Sequence, residues 1–102
     1  MFAILYAFQV KPGQETTFET AWEALTRLFY DHAGSLGSRL HQPQGATYIA
    51  YAQWPDRPAW ERAGELLPPE AEAIKTALRE ACEKTEILYE LEVATDLLHR
   101  GP

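Results

Sequence analysis

From Phe2 to Val10 large side chains (Ile4, Tyr6, Phe8, Val10) alternate with smaller or polar ones (Ala3, Leu5, Ala7, Gln9). That two-residue period predicts a strand. Lys11-Pro12-Gly13-Gln14 interrupts it, because proline withdraws a ladder donor and glycine permits a sharp change of direction. The period then becomes helical: Phe18, Ala21, Trp22, Leu25, Leu28 and Phe29 form one stripe, with Glu15, Glu19 and Glu23 toward the polar side. Early glutamates suit the helix N-terminus, His32 falls in the last turn as a helix-end cation, and Gly34 is placed as a left-handed stop.

Ser35 to Gln42 and Ala46 to Trp54 read as a second and a third strand, joined by the hairpin loop Gln42-Pro43-Gln44-Gly45 with its glycine placed for positive φ. Pro55-Asp56-Arg57-Pro58 ends the third strand and opens a short helix through Trp60, with Asp56 as N-cap. Pro68-Pro69 separates it from another helix whose buried stripe is Ile74, Ala77, Leu78 and Ala81. Thr85 to Val93 is the last strand, with Ile87, Tyr89, Leu91 and Val93 alternating against Glu86, Leu88, Glu90 and Glu92. The order βαββαβ predicts an α+β, ferredoxin-like domain over residues 1–102, with a four-stranded antiparallel sheet and helices on one face.

Helices on one side leave the other sheet face open, yet both faces carry apolar groups. Ile49 and Tyr51 lie on one side of the third strand, and Tyr48, Ala50, Ala52 and Trp54 on the other; Ile4 and Phe8 likewise oppose Leu5. A solvated face reads polar at alternate positions, and soluble monomers rarely expose a contiguous apolar patch beyond a few hundred Å². The expectation is a homodimer that covers this face about a two-fold axis. The competing reading is that the acids of the last strand solvate it.

Composition narrows the function classes. Nine basic and fifteen acidic residues give a net charge of −6, which argues against nucleic acid or an anionic membrane as partner. Ten of the acids fall between Glu61 and Asp96, against Arg62, Lys75, Arg79 and Lys84. The apolar opening Met1 to Val10 lacks a charged leader and a cleavage site and is far shorter than the roughly 20 residues of a membrane span. The single cysteine, Cys82, excludes an intrachain disulfide and suits a reducing, cytoplasmic compartment. It reads as a small buried apolar residue of a helix end.

Val10-Lys11-Pro12-Gly13 before an acidic helix with Phe18 and Trp22, and Tyr51-Ala52-Gln53-Trp54 followed by Asp56 and Trp60, resemble the antibiotic biosynthesis monooxygenase family over nearly the whole chain. The resemblance implies a dimeric α/β barrel and, among the family's activities, cofactor-independent oxidation of polycyclic phenols to quinones. It places Trp54 at the tryptophan that ends the third strand, Trp60 at an aromatic position where a tyrosine would offer a phenolic proton, and Lys75 at a basic residue of the following helix. Ala50 stands where that type has an asparagine. For the haem-degrading type the expected asparagine, tryptophan and histidine fall on Tyr6, Ala63 and about Ala73, which disfavours that activity.

The resulting expectation is a cofactor-free monooxygenase acting on a small aromatic substrate, with Trp54, Lys75 and Tyr51 as catalytic residues and Tyr6, Trp60 and Gln53 binding substrate. No metal is expected: Glu86, Glu90 and Glu92 share one strand face as a metal site would, but no histidine neighbours them in the chain. Alternation sends Gln53 and Tyr51 to the face opposite Trp54, so one pocket holds Trp54 or Tyr51 but not both without a bulge. The other reading is a non-catalytic dimeric module that binds a small molecule, with Trp54 and Trp60 as core residues and Tyr6 a packed tyrosine. Arg39 and His41 read as a rim pair, and His99 lies in a tail without clear pattern.

Overall fold

A computed structural model describes residues 1–98. Chain order is β1 (Phe2–Val10), α1 (Glu15–His32), β2 (Gly37–Leu40), β3 (Thr47–Trp54), α2 (Arg57–Arg62) with a 3-10 turn (Ala63–Leu66), α3 (Ala71–Glu80) and β4 (Cys82–Glu92). The four strands form one antiparallel sheet in the order β2-β3-β1-β4, the arrangement of the ferredoxin-like fold. Strand limits differ from the sequence reading, most at β2 and β4. β2 is shorter because only Gly37 to Leu40 pair with β3, and β4 begins three residues earlier because Cys82 already pairs with Val10.

The turns follow local chemistry. Gly34 and Gly45 take positive φ, +80° and +63°, where a side chain would be strained. Asp56, in extended conformation, accepts the Ala59 backbone N–H at 2.8 Å and caps α2. Asp56→Ala is expected to destabilise the fold by about 1 kcal/mol, a fall of roughly 4–8 °C in melting midpoint for a domain of this size. Calorimetry checks it.

Register fixes the two faces. Phe2, Ile4, Phe8 and Val10 of β1 and Tyr48, Ala50, Ala52 and Trp54 of β3 point toward the helices. With Phe18 of α1 they make an aromatic-rich core, in which Phe8–Phe18 and Phe18–Tyr48 ring centroids lie 5.1 and 4.8 Å apart. Tyr48 donates to the Glu19 carboxylate at 2.6 Å, and this bond, burial and the charges of Glu19 and Glu15 push its phenol up to about 12. Cys82 packs in the same cluster as a free thiol, and burial raises its pKa against a smaller opposing effect of Lys11.

β4 departs from simple alternation. Leu5 pairs with Tyr89 but Tyr6 with Ile87, so Leu88 is an extra residue in a bulge. The bulge turns Ile87 toward the helices with Glu90 and Glu92, and sends Tyr89 and Leu91 to the open face. This corrects the shared acidic face: Glu86 lies on one side of the sheet, and Glu90 and Glu92 lie on the other. The acids therefore do not blanket the open face. Its middle is Leu5, Ile49, Tyr51, Tyr89 and Leu91, with Tyr89 61% exposed. Among the described residues no helix is long and apolar enough to cross a membrane, and no group of three His, Cys, Asp or Glu side chains is placed to hold a metal.

Candidate functional site

The helices do not lie flush on the sheet. A cavity of about 610 Å³ separates Tyr6, Ala50, Ala52 and Trp54 on the sheet from Trp22 and Phe29 of α1, Trp60 of α2, and Lys75, Leu78 and Arg79 of α3. Ile87 lines it from the edge strand. The volume falls within the roughly 300–1,000 Å³ of small-molecule sites, and the wall is mainly apolar and aromatic with few polar groups, as such sites are.

Trp54 is 4% exposed and meets the Phe29 ring edge-on at 5.8 Å. Its indole N–H has no hydrogen-bond partner among the described residues. A buried donor left unmade costs about 1–3 kcal/mol. Tyr6 is partly buried, and its oxygen accepts the Trp60 indole N–H at 3.0 Å. Burial pushes the Tyr6 phenol up, the Trp60 bond opposes that, and the Glu90 charge adds a further rise. Trp60 also leans on Phe2 at 5.6 Å. Arg57 sits over the Phe2 ring, 4.6 Å from its centroid, and pairs with Glu90, tying the start of α2 to the edge strand. Lys75 lines the cavity and is 3.7 Å from the exposed carboxylate of Glu72.

Of the six residues expected at the site, four meet here: Trp54, Lys75, Tyr6 and Trp60. Tyr51 and Gln53 do not. Strand alternation is unbroken along β3, with Leu5 opposite Tyr51 and Ala3 opposite Gln53, so both project from the open face. There the Gln53 amide reaches the Tyr51 hydroxyl at 3.4 Å. The bulge that would have reconciled them with Trp54 exists, but on β4. Ala50, 1% exposed, offers the cavity only a methyl group.

Among the wall residues that the sequence reading did not assign to a site are Trp22, Phe29 and Arg79. Trp22 and Phe29 belong to the apolar stripe of α1, and periodicity does not show which members of a stripe leave a gap. Arg79 had a usable signal: it follows Lys75 by four residues, one helical turn along the same face. No histidine lines the cavity among the described residues. His41 sits at the sheet edge with Nδ1 2.8 Å from the Ile49 carbonyl, His32 ends α1, and His99 lies outside the described residues. Ala73 borders a separate groove between α1 and α3.

The sequence profile described as antibiotic biosynthesis monooxygenase matches residues 1–65. Among solved structures, SnoaB, a cofactor-independent oxygenase from Streptomyces nogalater, is similar with TM-score 0.77 and 23% identity, over 96% of this chain and 97% of that one. A putative antibiotic biosynthesis monooxygenase from Nitrosomonas europaea gives 0.77 and 10%, over 93% and 100%. A conserved protein from Methanosarcina mazei gives 0.70 and 19%, over 84% and 86%. Such identities establish the shared fold. No curated protein sequence matches the chain.

Proposed function

Because the chain belongs to the antibiotic biosynthesis monooxygenase family, we propose that it oxidises an aromatic or polyketide-like phenol with dioxygen, without a cofactor, in the cavity between sheet and helices. The observation that carries this reading is an aromatic cavity large enough for a polycycle with the Lys75 and Arg79 cations on its wall.

Triplet dioxygen reacts slowly with closed-shell molecules unless they are made electron-rich, and a phenolate is. The Lys75 ammonium favours the phenolate over the phenol by charge, and Arg79 adds to the same field. The Trp54 indole N–H, which has no protein partner among the described residues, supplies a donor to oxygen that gains negative charge once its ring turns toward a bound substrate. Tyr6 and Trp60 complete the wall. The overall change converts a ring CH₂ and O₂ into C=O and H₂O: one oxygen atom enters the product, and the two displaced hydrogens leave with the other.

The second reading, a binding module without turnover, is supported by Ala50, whose methyl group provides no hydrogen bond to a substrate oxygen. Oxygen uptake with anthrone-like phenols separates the two. The oxygenase reading expects uptake that Lys75→Ala lowers roughly 10- to 100-fold, in keeping with the loss of one electrostatic contact to developing charge. No uptake with any such phenol favours the module.

The proposal includes a second copy of the chain. Leu5, Ile49, Tyr51, Tyr89 and Leu91 form an apolar field bordered by Arg39, Gln53, Lys84 and Glu86, the composition of an interface core with a polar rim. Tyr51 and Gln53 are then interface groups. A soluble cytoplasmic homodimer fits this arrangement and the buried free thiol of Cys82.

A further inference from the structure

We propose that Tyr6 is a directed hydrogen-bond donor that selects ligands with a keto or phenolate oxygen at its end of the cavity, and that Trp60 is the positioning residue that fixes its polarity. The argument is one of donor and acceptor capacity. An indole N–H can only donate, so at 3.0 Å the Tyr6 oxygen must be the acceptor. The phenolic hydrogen must then point away from Trp60. No protein acceptor meets it among the described residues, and Tyr6 lines the cavity. Its ring is held by the Phe8 ring, stacked at 6.0 Å and 26°, which limits where that hydrogen can swing. Burial keeps the group protonated well above neutral pH, so the donor persists under ordinary conditions. Tyr6 thus presents a donor from the sheet wall with no protein oxygen among the described residues to receive it. A ligand that fills the space with hydrocarbon alone leaves it unsatisfied.

The inference rests on the cavity being a ligand site, as proposed above, but it does not require turnover. It is tested with 9-fluorenone and fluorene, which share a planar skeleton and differ at one carbon, C=O against CH₂. Quenching of tryptophan fluorescence gives both affinities, referred to each compound's partition into octanol. The wild-type protein is expected to prefer fluorenone, and Tyr6→Phe to shrink that preference roughly 3- to 10-fold, the net worth of one neutral hydrogen bond. The carbonyl stretch of bound fluorenone should lie below its value in alkane and move back up in Tyr6→Phe. In Trp60→Phe, where the phenol is free to rotate, the band should broaden, a response that lost packing alone does not produce.

An unchanged preference and unchanged carbonyl band in Tyr6→Phe would overturn the assignment, as would failure of the wild-type protein to bind fluorenone. An unchanged band in Trp60→Phe would remove the positioning role. Persistence of the fluorenone preference without oxygen uptake on any phenol would leave the donor in place and sink the oxygenase reading alone.

Discussion

Trp54→Phe is expected to lower turnover of an anthrone-like phenol by roughly 100- to 1,000-fold, the usual cost of deleting one donor aimed at developing negative charge. The substitution keeps an aromatic ring against Phe29 and removes the N–H that has no protein partner. Loss of ring volume destabilises, and removal of an unmade buried donor stabilises by about 1–3 kcal/mol. The two effects oppose, so the melting midpoint should shift by only a few degrees. Steady-state oxygen uptake and calorimetry on the same preparation check both halves. A variant that turns over like the wild-type protein would show that Trp54 is a packing residue and that its unmade bond has no bearing on chemistry.

Leu5→Lys is expected to convert the protein to a folded monomer. Leu5 stands at the middle of the open face, between Tyr51 of β3 and Tyr89 of β4 in register. A two-fold axis buries the new ammonium twice, and each unpaired buried charge costs several kcal/mol. Weakening of self-association by at least about 1,000-fold follows, since each 1.4 kcal/mol is tenfold. In the separated subunit the lysine stem can lie along the sheet with its charge in water, so the fold survives. Light scattering at micromolar concentration should give a dimer for the wild-type chain and a monomer for the variant, with matching far-UV circular dichroism. A monomeric wild-type chain, or a dimeric variant, would refute this use of the face.

Most of the fold was legible because its signals are local. The two-residue period of β1 and β3, the stripe of α1, the Asp56 cap and the glycines at 34 and 45 each act within a few residues. What escaped was set by pairing between strands. The extra Leu88 leaves no mark on the pattern Glu86 to Val93, which reads equally well as a regular strand, yet it decides that Tyr89 and Leu91 face outward and Glu90 inward. The early start of β4 at Cys82 likewise depends on its partner Val10 rather than on its own residues.

The site was half legible for a related reason. Alternation along β3 already separated Trp54 from Tyr51 and Gln53, and the structure settles which of them borders the cavity. The resemblance drew attention to Trp60 as an aromatic without a phenol. The indole–phenol contact that joins it to Tyr6 spans 54 positions, and no reading of either segment alone contains it. Arg79, by contrast, was available from helical spacing with Lys75.

The central claim is oxygen insertion in the cavity, and labelled oxygen tests it most directly. An anthrone-like phenol incubated with the protein under ¹⁸O₂ should yield a quinone carrying one heavy oxygen atom, with the second recovered in water. A quinone without label, or no product above the rate of the protein-free reaction, would contradict it.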